Sequence, residues 1–182
     1  MTDKTVKVEH AQGIAFISIN RPEVFNSFDM ETASSFADSV SRAAADDDVH
    51  GVVVTGKGKA FCTGADVRWI AAFDDHTGAA LRRIAGVFHQ GVIEIRRMPK
   101  PVIAAVNGIA CGGGLELALC ADIILVAEHA TFALPEIRSG TVADAASIKL
   151  PKRIPYHIAM ELLFTGRWFD AEEAARWGLV NR

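Results

Sequence analysis

The sequence predicts an α/β layer fold, because short apolar runs of strand length alternate along the chain with segments of helical periodicity. Three runs support this prediction: GVVVT (51–55), PVIAAV (101–106) and DIILVA (122–127). Each run is continuously apolar, which is typical of a parallel strand that is covered on both faces. Right-handed crossovers are expected to connect them.

Two further elements are predicted before the first of these runs. Residues 6–10 and 14–19 are β-prone and are joined through Gln12-Gly13, so we expect a hairpin. Asp29 can cap a helix whose apolar face consists of Phe36, Val40 and Ala44. The acidic run 46–48 then follows as a solvated turn.

Three of the helices predicted after position 60 have start or stop signals in the sequence. One opens near Asp66, and one spans 77–97, where Pro99 ends a helical spacing of Leu81, Ile84, Ala85, Phe88, Val92 and Ile95. The third spans 171–177: Asp170 with Glu173 resembles a capping box, and Gly178 stops the helix.

Length and charge limit the classes of partner. The 182 residues are half apolar and suit one domain, 1–182. A net charge of −3, without a basic stripe, argues against nucleic acid. The amino terminus is polar, and no apolar run reaches the roughly 18 residues of a membrane span. We therefore expect a cytoplasmic protein that binds neither nucleic acid nor membrane.

The cysteines and histidines do not form a metal-binding pattern. Cys62, Cys111 and Cys120 contain no CxxC pair, and the six histidines are scattered singly. The sequence therefore predicts reduced thiols and no metal site.

Three consecutive glycines, 112–114, stand where a strand feeds a helix. Without Cβ atoms they allow a ligand or another backbone to approach the N–H groups of the first helical turn. Two interpretations stay open from these residues alone. The glycines permit tight packing of strand against helix, or they form an oxyanion hole at the positive end of the helix dipole.

Glu116 and Glu136 are isolated carboxylates with apolar neighbours. Each lies at a predicted helix start, where a carboxylate can simply satisfy first-turn N–H groups. A poorly solvated carboxyl, however, has a raised pKa and suits proton transfer near neutral pH. Because each follows a strand, the two acids could face one cleft from adjacent strand exits.

Four separated blocks closely resemble, in the same order, the crotonase, or enoyl-CoA hydratase/isomerase, family. They are INRPEVFNSF (19–28), FCTGADV (61–67), KPVIAAVNGIACGGGLELALCADI (100–123) and FALPEIRSGTV (132–142). The last sixteen residues, RWFDAEEAARWGLVNR, extend the resemblance to the end of the chain. The resemblance implies a spiral of repeated ββα units that binds acyl-coenzyme A thioesters.

The resemblance also implies roles for four residues. The backbone N–H groups of Ala65 and Gly113 would hold the thioester oxygen, where enolate-like charge collects. Glu116 would activate or orient the water that attacks C3, and Glu136 would deliver the proton to C2. In a dehydratase both roles reverse.

By the same resemblance, coenzyme A would be held by the backbone of residues 23–25 and by the loop 60–68. The substrate-binding candidates are Glu23, Val24, Phe25, Ala60, Thr63, Asp66, Arg68 and Gly112. Asp66 and Arg68 are candidates near the nucleotide, and Arg68 is either a phosphate contact or a solvated helix arginine. Since coenzyme A belongs to the substrate, no separate cofactor is expected.

Two departures from the family pattern stand out. After Glu136 many family members carry a proline and a pair of glycines, whereas this chain reads GTVADAASIKL (140–150) and is one residue shorter. In this stretch Asp144 occupies a position where the family has a glycine or an aspartate, and it either tunes the site toward a polar acyl chain, as in carnitinyl-CoA dehydratases, or caps a helix from Ala145. The C-terminal helices that cover the acyl pocket and support trimers or hexamers are missing. We therefore expect a truncated chain, with a homotrimer or hexamer if the full-length chain is present.

The predicted function is hydration of 2-enoyl-CoA or the reverse dehydration of 3-hydroxyacyl-CoA. One alternative is a Δ3,Δ2-enoyl-CoA isomerase that uses mainly Glu136. Another is a non-catalytic member of the family that binds acyl-CoA or RNA.

Overall fold

The computed structural model describes residues 5–72 and 77–182. Its strands are β1 (Val6–Ala11), β2 (Ile14–Ile19), β3 (Gly51–Gly56), β4 (Ala60–Cys62), β5 (Val102–Val106), β6 (Ile109–Cys111), β7 (Ile123–Val126), β8 (Thr131–Ala133) and β9 (Phe169–Asp170). Its helices are α1 (Met30–Ala45), α2 (Val67–Ala71), α3 (Thr77–Arg97), α4 (Gly113–Ala118), α5 (Glu136–Ser139), α6 (Asp144–Lys149), α7 (Tyr156–Thr165) and α8 (Ala171–Arg176).

The strands form two sheets with different roles. The first has the order β1-β2-β3-β5-β7; its β1–β2 hairpin is antiparallel, and β2, β3, β5 and β7 pair in parallel. The second has the order β4-β6-β8-β9, in which β6 pairs in parallel with both β4 and β8. Successive ββα units thus place one strand in each sheet, as the predicted spiral requires.

Aliphatic side chains in register hold the first sheet against its helices. Ile17, Val54 and Ala104 form one row across three parallel strands, and each is at most 2% exposed. They belong to an apolar cluster with Phe36 and Val40 of α1. Full burial of a large aliphatic side chain stabilises a fold by about 1.5–3 kcal/mol, so Ile17 and Val54 each contribute an amount of this order.

Buried Asn26 links the segment before α1 to the turn between β3 and β4. Its amide nitrogen donates to the carbonyls of Lys57 (2.9 Å) and Ala60 (2.7 Å), and its oxygen accepts from the Arg21 N–H (2.9 Å). All three bonds are internal, so a polar side chain with no exposure is satisfied within the fold. This link places the predicted coenzyme A segment beside the second sheet.

The predicted elements are confirmed with small shifts of their bounds. The hairpin forms through Gln12 and Gly13, which both have positive φ, and the three apolar runs become β3, β5 and β7. Asp29 caps α1, which starts at Met30, by accepting the Thr32 N–H at 2.8 Å. The helix 77–97 has the predicted bounds.

Half of the predicted capping box at α8 is confirmed. Asp170 accepts the Glu173 N–H at 2.8 Å, but the Glu173 carboxylate binds the Arg167 guanidinium, with contacts of 3.0 and 3.2 Å. A charged partner from the preceding loop makes stronger hydrogen bonds than a neutral backbone N–H, which explains the difference. Gly178, with φ +76°, follows the helix as predicted.

Replacement of Gly114 by alanine is expected to destabilise the protein. A Cβ at this position would overlap the carbonyl group of Cys62 in β4, and a strand backbone cannot move aside cheaply. Overpacking of this kind lowers the free energy of unfolding by about 1–3 kcal/mol. Urea denaturation measures the change.

Gly86→Ala is the matched control for Gly114→Ala. Gly86 lies inside α3, and nothing stands within 4 Å of an added Cβ, so this alanine is expected to stabilise by about 0.8–1.0 kcal/mol. Equal effects of the two substitutions would contradict the close approach of β4 and α4.

Candidate active site

Two backbone segments meet where β4 ends and α4 begins. A Cβ on Gly64 would lie 2.9 Å from the Gly113 nitrogen, and Gly64 has a φ of +81°. Only glycine tolerates both the conformation and the proximity. The loop after β4 therefore lies directly against the first turn of α4.

The Ala65 and Gly113 amides are available at this junction. The parallel bridge between Phe28 and Ala65 uses the Gly64 carbonyl and the Asp66 N–H, both at 2.8 Å, which leaves the Ala65 N–H unused. Gly113 is the first residue of α4, so its N–H has no acceptor within the helix. Among the described residues, no acceptor is assigned to either amide.

A cavity of about 440 Å³ contains both of these residues together with Gly112, Glu116 and Glu136. Its walls are mainly apolar, as is typical of small-molecule sites, and include Phe28, Ile70, Ile84, Phe88, Pro135 and Val142. The structure therefore gathers all four predicted catalytic residues, Glu116, Glu136, Ala65 and Gly113, around one space.

Glu116 projects from α4 and is 8% exposed. Its Oε1 accepts the Ala146 N–H at 2.9 Å. Burial raises the pKa of Glu116 from 4.5 to about 7; the Ala146 N–H opposes this rise, and the negative charges of Glu136 and Asp144 add to it. A carboxyl in this state can accept or release a proton near neutral pH.

Glu136 is the first residue of α5, and its Oε1 lies 3.0 Å from the point that a Cβ on Gly112 would occupy. Its Oε2 is buried and has no hydrogen-bond partner. Burial raises the pKa of Glu136. A buried carboxylate oxygen without a partner is unfavourable and rare, so this atom is a candidate to receive a ligand.

Adjacent strands explain why Glu116 and Glu136 line the same cavity. β6 and β8 pair in parallel through Cys111 and Ala133; β6 leads into α4 and β8 leads toward α5. The expectation that the acids follow adjacent strand exits is therefore confirmed. The intervening run DIILVA does not separate them, because β7 belongs to the other sheet.

His89 of α3 also lines the cavity, although the sequence does not predict it as a site residue. Its Nε2 lies 3.0 Å from Oδ2 of Asp144. Asp144 is the first residue of α6 and makes no capping hydrogen bond, so the interpretation as a helix cap is wrong. The periodicity of 77–97 marks one apolar face, and no local signal distinguishes the histidine that flanks it.

Part of the predicted coenzyme A site comes together at the cavity edge. Thr63 lines the cavity, and its hydroxyl donates to the Phe25 carbonyl at 3.2 Å. Glu23 is exposed, Val24 is half-buried, and Phe25 is 48% exposed. The segment 23–25 therefore lies beside the loop after β4, where the resemblance places it.

The other candidates of that loop have internal partners or lie outside the cavity. Ala60 is buried, and its carbonyl accepts from the Asn26 amide. Asp66 is 7% exposed; it caps α2 and contacts Arg21 at 3.3 Å. Arg68 is exposed on α2 and does not line the cavity. Their contacts to coenzyme A stay predictions.

A larger hollow of about 730 Å³ lies between β1 and α1 and contains none of the predicted site residues. Its lining is rich in charged side chains such as Glu31, Arg42 and Asp46, whereas ligand sites are mainly apolar. The smaller cavity is therefore the candidate site.

The described residues contain neither a candidate metal site nor a candidate membrane-spanning helix. Across 5–72 and 77–182, no group of three or more histidine, cysteine, aspartate or glutamate side chains could hold a metal ion. Within the same residues, none of the helices has the length and apolar character to cross a membrane.

The three cysteines, Cys62, Cys111 and Cys120, are free thiols. Burial raises the pKa of the Cys62 thiol to about 12 and that of the Cys111 thiol to about 11.

Comparison with known proteins gives consistent matches. A family model described as enoyl-CoA hydratase/isomerase matches residues 9–182. The chain is 37% identical over 178 residues to (E)-benzylidenesuccinyl-CoA hydratase of Thauera aromatica, covering 97% of this chain and 68% of the relative. It is 42% identical over 171 residues to carnitinyl-CoA dehydratase of Proteus mirabilis, covering 91% of this chain and 62% of that relative.

A solved structure agrees with these matches. The crystal structure of an enoyl-CoA hydratase from Mycobacterium smegmatis superposes with a TM-score of 0.92 at 28% identity, covering 99% of this chain and 70% of the other. The chain thus spans only about two thirds of the length of the proteins that it matches.

Glu116→Gln is expected to remove a pH-dependent loss of stability. Because the pKa of Glu116 is raised from 4.5 to about 7, its protonated form is favoured in the folded state. The stability that Glu116 contributes is complete below pH 4.5 and is lost as the pH rises through 7. This difference amounts to at most about 3 kcal/mol.

Urea unfolding of both proteins near pH 5 and near pH 8 tests this expectation. Glutamine keeps an acceptor for the Ala146 N–H, so the comparison isolates the charge. The variant should gain stability over the wild type as the pH rises. A stability difference that is the same at both pH values would contradict the raised pKa.

Proposed function

The chain belongs to the enoyl-CoA hydratase/isomerase family, and on that basis we propose that it hydrates 2-enoyl-CoA thioesters or dehydrates 3-hydroxyacyl-CoA. One observation carries the proposal: the buried Glu116, the half-buried Glu136 and two unused backbone amides line a single, mainly apolar cavity. The relatives named as a hydratase and a dehydratase of CoA thioesters support the same reaction class.

In the proposed reaction the thioester oxygen accepts hydrogen bonds from the Ala65 and Gly113 N–H groups. Negative charge develops on this oxygen when C3 is attacked or when C2 loses a proton. Amides that are already fixed by the backbone stabilise this charge without reorganising, and one such donor typically contributes about 2.7–4 kcal/mol. The helix dipole of α4 acts in the same direction at Gly113.

The two glutamates divide the proton transfer. During hydration Glu116 accepts a proton from the water that attacks C3, and Glu136 delivers a proton to C2. In dehydration Glu136 removes the C2 proton and Glu116 protonates the departing hydroxyl group. The raised pKa values of both carboxyl groups support these roles, since efficient acids and bases have pKa values near the working pH.

The other contacts of the substrate follow from the proposed position of the thioester oxygen. Coenzyme A lies along residues 23–25 and the loop near Thr63, and the acyl group enters the apolar cavity. Asp144 at the cavity edge supports an acyl chain with a polar group, as the name of the carnitinyl-CoA dehydratase relative suggests. No metal or separate cofactor takes part in the proposed reaction.

We propose that the full-length protein assembles as a homotrimer or hexamer in the cytoplasm. Large apolar side chains on α6, α7 and the loop before α6 support a covering protein surface, because Val142, Phe164 and Ile148 are 77%, 72% and 61% exposed. Light scattering of the full-length protein measures the assembly.

Glu136→Gln is expected to lower hydration of a 2-enoyl-CoA by about a hundredfold to ten-thousandfold, because the amide cannot transfer the C2 proton. Loss of the conjugated enoyl absorbance follows the reaction across a panel of 2-enoyl and 3-hydroxyacyl thioesters. The control is Glu172→Gln, an exposed residue of α8 outside the cavity, which should retain the wild-type rate.

Glu116→Gln separates the alternatives in the same assay. A hydratase should lose activity by orders of magnitude, since the water is no longer activated. Nearly intact turnover of a 3-enoyl thioester would instead indicate an isomerase that uses Glu136. Saturable acyl-CoA binding without turnover of any thioester would indicate a non-catalytic member of the family.

A further inference from the structure

A polar link connects α3 to α6 at the edge of the cavity. His89 Nε2 and Asp144 Oδ2 are 3.0 Å apart, and both residues line the cavity. Among the close contacts between basic and acidic side chains of residues 5–72 and 77–182, this is the only one that joins these two helices. Neither side chain is one of the two proposed acid–base residues, Glu116 and Glu136.

The start of α6 depends on a partner from another helix. Asp144 is its first residue, and the preceding Ala143 provides no side-chain cap. The N–H groups of a first helical turn have no acceptor within the helix, so they need one elsewhere. Ala146, the third residue, donates its N–H to Glu116 Oε1 at 2.9 Å. The carboxyl of Glu116 therefore caps α6 from α4.

These two contacts lie on the same helical turn. We propose that His89 and Asp144 are positioning residues: their link fixes the first turn of α6 against α3, and that turn holds the Glu116 carboxyl through the Ala146 N–H. The effect on turnover rests on the proposed function, but the effect on the Glu116 carboxyl does not.

The charges around Glu116 make it possible to distinguish the effect of His89 from the effect of Asp144. Glu136 of α5 and Asp144 of α6 raise the pKa of Glu116, whereas the Ala146 N–H lowers it. Lys149, also on α6, donates a hydrogen bond from Nζ to the Leu119 carbonyl at 3.4 Å. His89 of α3 contacts the Asp144 carboxylate at 3.0 Å through Nε2, a nitrogen that can act as its donor. Removal of the donor and removal of the acceptor charge should therefore act on Glu116 in opposite directions.

His89→Ala tests the positioning role directly. Asp144 loses its partner and the first turn of α6 loses its anchor, so the titration midpoint of the Glu116 carboxyl should move to higher pH. Carbon-13 NMR of the labelled glutamate carboxyls, assigned with Glu116→Gln, measures this midpoint. With a 2-enoyl-CoA substrate, kcat should fall by about tenfold to a hundredfold, since small misplacements of a reacting group have effects of this size. KM should change much less.

Two conservative variants complete the test. His89→Gln keeps an N–H donor for Asp144 and should restore most of kcat and the midpoint. Asp144→Asn keeps an acceptor for His89 but removes the charge, so the midpoint should move to lower pH. His157→Ala is the matched control, because this exposed histidine of α7 lies outside the cavity and should change neither quantity.

Specific outcomes overturn the proposal. These are an unchanged Glu116 titration in His89→Ala, a failure of His89→Gln to restore it, or midpoints that move in the same direction in His89→Ala and Asp144→Asn. If the wild type turns over no thioester while the midpoints move as expected, the proposed function is contradicted and the positioning role is supported.

Discussion

The close approach of two backbone segments, 62–65 and 112–114, is the constraint on which the rest of the site depends. Gly114 packs against the Cys62 carbonyl, and Gly64 packs against the Gly113 nitrogen. These contacts leave no room for a side chain at Gly64 or Gly114, and they bring Ala65 and Gly113 to the wall of one cavity. The structure thus shows the tight packing of strand against helix, and the oxyanion hole that we propose is compatible with it.

The second sheet turns this local contact into a complete site. Its three parallel strands are β4, β6 and β8, and each is followed by the segment that carries a predicted residue. The carboxyl ends of parallel strands lie at one edge of a sheet, where ligands bind in many α/β proteins. Ala65, Gly113, Glu116 and Glu136 are therefore neighbours although 71 positions separate the first from the last.

The fold and the grouping of these four residues could be predicted from the sequence, because both depend on strong signals. Apolar runs of strand length mark β3, β5 and β7, and separated family motifs mark the acids and amides. The short strands β4 and β8 and the contact between His89 and Asp144 were not predicted. The two strands have three residues each, and the contact joins helices that are distant in sequence, so no local pattern identifies them.

The environments of the two acids differ in a way that assigns them different tasks in the proposed reaction. Both are shielded from water, which favours their neutral forms. Glu116 accepts an N–H from Ala146, and Glu136 is stabilised in its charged form only by its own backbone N–H, while its Oε2 has no donor. Glu116 is therefore better suited to act as the base toward water, and Glu136 to hold a proton until C2 receives it. This division follows the general pattern in which two nearby carboxyls take opposite roles because their surroundings differ.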